Sequence, residues 1–288
     1  MQHPLWRSLL YTPAHVQKYA RKAAEGDADV VVLDLEDSVP HQEKFAARAL
    51  LADSAALLHR ARKQVAVRLN AEAAAQAEDL RAALAAGADI LILPKIETPE
   101  TVRRIASALA ERVPGPPPVL IGLIETPAGL LNAAEIAMAH PLLKALNLGT
   151  EDFAGEMGME PDWTALLYPS QQIAIAARRA GIVPLGYVGS IAQFRDEDAF
   201  ARIVDASARL GFEGGFAIHP SQVAALNRAF TPSEDRVAHA RRVVSAFTQA
   251  EREGLGAVSV DGRMVDLPVV RRAEKILARA AAIANSTS

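Results

Sequence analysis

Eight short apolar runs recur about every 30 residues along this chain, and they limit its fold more than any other feature. They are SLLYTP (8–13), VVVLDLED (30–37), QVAVRLN (64–70), ILILPK (90–95), VLIGLIET (119–126), ALNLGT (145–150), YVGSI (187–191) and GGFAIHP (214–220). The runs are continuously apolar, as parallel strands buried on both faces must be. Ala-rich stretches such as AAQAEDLRAALAAGA and TPETVRRIASALAERV separate them and have helical character. Eight strand–helix units are the number that closes a (β/α)8 TIM barrel. An open doubly wound sheet is the alternative, weakened because no G-x-G-x-x-G follows the first run.

The barrel is expected to occupy residues 1–230. Residues 231–288 form a C-terminal extension that the barrel does not need to close. TPSEDRVAHARRVVSAFTQAEREG predicts a helix capped by Thr231 or Ser233 and stopped by Gly254. GAVSVDGRMVD predicts a hairpin turning at Asp261-Gly262, and LPVVRRAEKILARAAAIA a last amphipathic helix. This extension suits a flap or an oligomerisation arm. The Pro-rich VPGPPP (113–118) predicts a stiff loop.

Composition narrows the function. With 288 residues, half of them hydrophobic, the chain supports one sizeable core. A net charge of −3 argues against a nucleic-acid partner. Without cysteine there is no disulfide, thiolate nucleophile or Cys-ligated zinc, which is compatible with a reducing compartment. The start, MQHPLWRSLLYTP, has no signal-peptide pattern, and no apolar run approaches the ~20 residues of a membrane span. The expectation is a soluble, cytoplasmic protein.

In a TIM barrel, ligands bind where the strands end. The polar residues there are Tyr11, Asp34, Glu36, Asp37, Arg68, Asn70, Lys95, Glu125, Glu151, Asp152 and His219. Glu125 and Asp152 would make a hard, oxygen-rich pair suited to Mg²⁺. Both have a plainer reading as helix caps, although Thr126 can cap the helix after Glu125, and Glu151 competes with Asp152 as a ligand. Asp34 and Glu36 share one strand face. A buried acid needs a cation, and Arg68 on the next strand can supply it. The acids at 34, 36 and 37 therefore either orient Arg68 or act directly. Arg68 itself is a salt-bridge partner or a grip for a substrate carboxylate or enolate. Lys95 reads better as an ion-pair partner than as a Schiff-base lysine. No H-x-H or H-E-x-x-H spacing supports zinc. His219 is a substrate or cofactor contact, or a satisfied buried histidine, rather than a metal ligand. Lys18 and Lys22, at i and i+4, are a solvated face or a phosphate grip.

Eight motifs in order carry a resemblance: RSLLYTP (7–13), VVLDLEDSV (31–39), VRLN (67–70), ILPKIE (92–97), LIETPAGLLNAAEIA (123–137), LGTEDFAGEMG (148–158), AIHPSQV (217–223) and VDGRMVDLPVVRRA (260–273). Together they resemble the citrate lyase β-subunit-like, CoA-ester lyase branch of the HpcH/HpaI aldolase family. That resemblance implies a barrel of the phosphoenolpyruvate/pyruvate-binding type, assembled as a homotrimer or larger. It implies Mg²⁺-dependent carbon–carbon lyase chemistry on hydroxyacyl-CoA thioesters, giving acetyl-CoA or propionyl-CoA and a 2-oxo acid. Glu125 and Asp152 match the family's metal ligands, and Arg68 its substrate-binding arginine. Asp266 matches a catalytic acid that relatives deliver from a neighbouring subunit. Tyr11, Lys18, Lys22, Ile218 and His219 match positions that touch the thioester carrier. Two segments depart from the pattern, LLYPSQQ around Pro169 and Ser170 and GYVGSIAQF, and both are expected near the acyl pocket. Alternatives are a citryl-carrier lyase, a malyl-CoA thioesterase, an aldolase for free 2-oxo-3-deoxy acids and, from another class, a non-catalytic assembly protein.

Overall fold

A computed structural model describes residues 4–112 and 116–286. Eight parallel strands form one sheet: β1 (Ser8–Pro13), β2 (Val30–Asp34), β3 (Gln64–Arg68), β4 (Ile90–Leu93), β5 (Val119–Ile124), β6 (Leu143–Leu148), β7 (Val183–Leu185) and β8 (Gly215–Ala217). Their order is β7-β6-β5-β4-β3-β2-β1-β8. A bridge from Leu185 to Gly214 brings β7 onto the chain entering β8 and closes the ring into a TIM-type barrel. The helices between strands are α1 (Gln17–Glu25), α2 (Lys44–Arg60), α3 (Ala73–Ala85), α4 (Pro99–Arg112), α5 (Pro127–Leu131), α6 (Ala133–Ala137), α7 (Thr150–Met157), α8 (Trp163–Ala180) and α9 (Glu197–Arg209), with α10 (Pro220–Ala229) following β8.

The continuous apolar character of the strands divides by period two. Leu9, Val30, Val32, Ala66, Ile90, Ile92, Ile121, Leu123, Ala145, Leu185 and Phe216 form one buried cluster, the barrel interior. Their neighbours Leu10, Val31, Leu33, Val67, Leu91, Leu120 and Leu146 belong to the layer shared with the helices. Trp6 joins the interior cluster, and its Nε1 donates to Oε1 of Gln64, the first residue of β3, at 2.7 Å. A Leu→Ala change in either layer would cost about 2–5 kcal/mol.

Strands β2–β6 and β8 end two or three residues before the apolar runs do. The difference matters, because Glu36, Asp37, Asn70, Lys95 and Glu125 then stand just past strand ends, on the loops that rim the barrel.

The seventh strand is a correction. YVGSI (187–191) is loop, and β7 is Val183–Leu185. Pro184 makes that segment look unlike a strand, since it has no N–H for a ladder. Its carbonyl does the pairing, accepting from the Glu213 N–H at 3.0 Å. Residues 187–190 are nonetheless buried, which explains their strand-like composition. The loop read at 113–118 lies partly outside the described residues. No helix among them is long and apolar enough to cross a membrane.

The barrel unit ends at Phe230, and a second compact unit begins at Thr231. It contains α11 (Glu234–Arg252), a hairpin of β9 (Val258–Val260) and β10 (Arg263–Val265), and α12 (Leu267–Ser286). Ser233 caps α11, accepting from the Arg236 N–H at 3.3 Å. Asp261 (φ +49°) and Gly262 (φ +75°) make the hairpin turn, where both central residues need positive φ. The Asp261 carboxylate accepts from Arg242 at 2.9 Å and pairs with His239 at 3.1 Å. These partners tie the turn to α11 and hold Asp261 below the usual carboxylate range. Ala240, Val243 and Phe247 pack with Val260, Val265, Val270 and Ala273 as this unit's own core.

Candidate active site

Strand register builds the first half of the site. Asp34 at the end of β2 pairs in register with Arg68 at the end of β3, so both side chains point to the same face. The carboxylate takes the guanidinium in a two-pronged grip, Nε to Oδ1 at 2.6 Å and Nη2 to Oδ2 at 2.7 Å. It also accepts from the N–H groups of Glu36 (3.0 Å) and Ser38 (3.1 Å) and from the Ser38 hydroxyl. Burial alone would raise the Asp34 pKa, but the Arg68 hydrogen bonds and charge bring it below the ordinary value. Arg68 Nη1 meets Asp37 at 3.0 Å and Oε2 of Glu36 at 3.1 Å. The Glu36 oxygen is close enough for charge attraction but makes no directed hydrogen bond. Burial, with the Asp37 charge adding and Arg68 opposing, pushes Glu36 up to about 8. The guanidinium also lies over the Tyr11 ring at 4.7 Å, and Tyr11 stacks on Phe216 at 5.1 Å. Despite burial, its anionic neighbours raise the Arg68 pKa, so Arg68 is a fixed, permanent cation.

The second half forms where β5 and β6 end. Glu125 is 3 % exposed. It is free of capping duty, because the Thr126 hydroxyl caps α5 by accepting from the Gly129 N–H at 3.1 Å. Glu125 Oε2 accepts from the backbone N–H of Lys95 at 2.8 Å. Lys95 has φ +49°, uncommon for a residue with a side chain. Gly149 lies under Glu125, and a Cβ there would stand 2.4 Å from Glu125 Cγ, so only glycine leaves this carboxylate room. Asp152, in the first turn of α7, is part-exposed, and Lys95 Nζ lies 3.4 Å from its Oδ1. Burial first, then the Asp152 charge, pushes Glu125 up to about 7. Glu151 is exposed and also lines the cavity, but the carboxylate acting on Glu125 is Asp152.

Both halves open into one cavity of about 360 Å³. Leu123, Leu148, Tyr187, Ile191, Phe216 and Ile218 form its apolar wall. The donor set suits Mg²⁺: two carboxylates of hard oxygen, underneutralised by one lysine, with the rest of a coordination sphere left to water and substrate. No group of three or more His, Cys, Asp or Glu side chains poised for a metal occurs among the described residues.

Other sequence candidates lie elsewhere. Lys18 and Lys22 are exposed on α1 and do not line the cavity. His219 caps α10, its ring Nδ1 accepting from the Ser221 N–H at 3.3 Å, and it stacks on Phe194. It is exposed rather than buried. Ile218 beside it does reach the cavity. Asn70 is bound to Asp79 and Lys44 and serves the scaffold. Asp266 belongs to the second unit, between β10 and α12. The expectation that Pro169 and Ser170 border the acyl pocket is corrected: both are buried within α8, and neither lines the cavity. Gly186, Tyr187 and Ile191, from the other divergent segment, do line it. Asn147, Ser38 and Phe216 are lining residues that sequence reasoning missed. For Asn147 a signal existed, a polar residue inside an apolar run at the same parity as Ala145 and Gly149.

The model of the HpcH/HpaI aldolase/citrate lyase family matches residues 7–220. The chain belongs to this family. It is 36% identical over 285 residues to a (3S)-malyl-CoA thioesterase of Cereibacter sphaeroides, covering 98% of this chain and 96% of that protein. It is 38% identical over 284 residues to the citrate lyase subunit beta of Escherichia coli, covering 95% and 93%. Among solved structures it is similar to CitE from Mycobacterium tuberculosis in complex with magnesium, acetoacetate and coenzyme A. The TM-score is 0.77 at 32% identity, over 95% of this chain and 97% of that one. These relatives span the family's barrel and also the C-terminal unit, so the likeness extends past residue 220.

Proposed function

We propose that this chain is a Mg²⁺-dependent carbon–carbon lyase. Its substrate would be a 3-hydroxy-3-carboxyacyl-CoA of the malyl-CoA or citramalyl-CoA type, and its products an acyl-CoA and a 2-oxo acid. One observation carries this reading: a carboxylate pair short of positive charge, Glu125 and Asp152, shares a small cavity with a guanidinium fixed by Asp34 and Asp37.

Glu125 and Asp152 would hold Mg²⁺, which when bound would supply Lewis acidity toward the substrate's oxygens and lower the pKa of its hydroxyl. Lys95 holds Asp152 and, through its backbone, Glu125, and so sets the spacing of the pair. Arg68 stabilises the negative charge on the oxo-acid oxygen, and its rigid mounting means that little reorganisation is needed. Tyr11 supports the guanidinium from below. As the hydroxyl gives up its proton to solvent and becomes the carbonyl of the oxo acid, the carbon–carbon bond breaks and its electron pair passes to the thioester enolate, which needs a proton on carbon. Asp266 is the donor in this reading, supplied from a neighbouring subunit of a homotrimer or larger assembly. Mixing Glu125→Ala and Asp266→Ala subunits should then restore part of the activity that each lacks. No recovery after verified subunit exchange would contradict delivery in trans.

A second reading has an observation behind it, since several relatives at 35–36% identity are named malyl-CoA thioesterases. One assay separates the two. Malyl-CoA and citramalyl-CoA are incubated with Mg²⁺ or with EDTA, and thioester and oxo acid are followed together. The lyase gives equimolar acyl-CoA and oxo acid, abolished by EDTA. Malate and free CoA without glyoxylate would replace it with the hydrolase. Cleavage of neither ester would move the substrate to a carrier-bound citryl group.

A further inference from the structure

A buried amide on the cavity floor is left without a role by that chemistry. Asn147 is 8 % exposed and stands in register with Leu123 on β5 and Leu185 on β7, both apolar. Its Nδ2 donates to the Leu148 carbonyl at 2.8 Å. That bond orients the amide, because turning it over would set two carbonyl oxygens against each other. Oδ1 is thereby aimed at Gly186, where an added Cβ would stand only 3.0 Å away. Gly186 has φ +128°, a conformation that side chains rarely adopt. Oδ1 accepts no hydrogen bond from the described residues. Asn147 and Gly186 both line the cavity, so this acceptor and the second N–H hydrogen are left for whatever binds there to satisfy.

Size decides which end of a thioester reaches the floor. A cavity of about 360 Å³ holds a 2-oxo acid but not a CoA group, which must leave through the mouth. Resting on the lyase reading above, we propose that Asn147 is a specificity-determining residue that reads the substituent on the carbonyl carbon of the 2-oxo acid. It selects hydrogen over methyl, that is, glyoxylate over pyruvate. With hydrogen at that position, a water fits against the amide and satisfies both of its groups. A methyl group displaces the water and leaves a polar pair facing carbon.

Calorimetric titration of the full chain with glyoxylate and with pyruvate, in Mg²⁺, tests this without turnover. Asn147→Leu, similar in size and apolar, should shift the ratio of the two affinities toward pyruvate by about tenfold or more. If Asn147→Leu does not fold, Asn147→Ala carries the same expectation. An unchanged ratio in a folded variant, or binding of neither acid, would overturn the assignment. Cleavage of malyl-CoA and citramalyl-CoA is measured in parallel. A shifted ratio without cleavage of either ester supports Asn147 and removes the lyase reading. Cleavage with an unchanged ratio removes Asn147 and keeps the lyase.

Discussion

Two acidic regions border the same cavity, and they balance their charge differently. Around Arg68, three carboxylates converge on one guanidinium that the chain itself provides. Asp34, fully buried there, stays ionised because each of its lone pairs meets a donor. Around Glu125 and Asp152, one partly exposed lysine pairs with Asp152, and Glu125, with only the more distant charges of Arg68 and Lys95 opposing its burial, rises to about 7. Apart from Glu36, which burial raises to about 8, the first region is satisfied as folded, whereas the second is the one that a cation would complete on the reading proposed above. Mutations should therefore damage folding in the first region and ligand binding in the second.

The largest effect should follow Arg68→Ala. It leaves Asp34 buried without its cation, which costs about 3–5 kcal/mol. Turnover should fall by a factor on the order of 10² to 10³. Denaturant melts and the coupled thioester assay read the two losses. A variant that loses activity but keeps full stability would break the contrast, making Arg68 as dispensable to the fold as a surface group.

Glu125→Gln should do the reverse. Mg²⁺ affinity, measured by calorimetry, should drop at least about 100-fold. Stability should not drop. The folded-state pKa of Glu125 lies above its unfolded value, so its ionised form opposes folding as pH rises from about 4.5 through 7. A neutral isostere removes that opposition, and at pH 8 the variant should melt at or above the wild-type temperature. A large loss of stability would mean that Glu125 holds the fold together.

Gly149→Ala sharpens the comparison by leaving every charged group in place. Its Cβ would collide with Glu125 Cγ and displace the carboxylate. Mg²⁺ affinity should fall by about 10- to 100-fold, with the barrel still folded. The smallest effect belongs to Glu36, the one carboxylate near Arg68 without a directed hydrogen bond. With its pKa raised to about 8, wild-type stability declines as pH rises from 4.5 to 8. Glu36→Gln should be nearly neutral at pH 5 and stabilising at pH 8. Thermal melts at the two pH values check the sign.

The sequence made one kind of feature legible and hid another. Strands buried on both faces are written as unbroken apolar runs, and seven of the eight were readable for that reason. The seventh was not, because Pro184 interrupts a three-residue strand while the buried loop after it has strand-like composition. Arg68, Glu125 and Asp152 were visible because a charge at the end of an apolar run has few uses. Asn147 and Gly149 were overlooked because their importance depends on register and on which side chain lies above them. Lys18 and Lys22 stand exposed on α1 and do not line the cavity, and nothing in a single sequence says how far an exposed helix face stands from a cavity.

The most direct test is a crystal structure of the full chain with Mg²⁺ and glyoxylate. The account predicts one cation between the carboxylates of Glu125 and Asp152, with the oxo acid reaching Arg68. A cation bound elsewhere, or glyoxylate held away from Arg68, would contradict it.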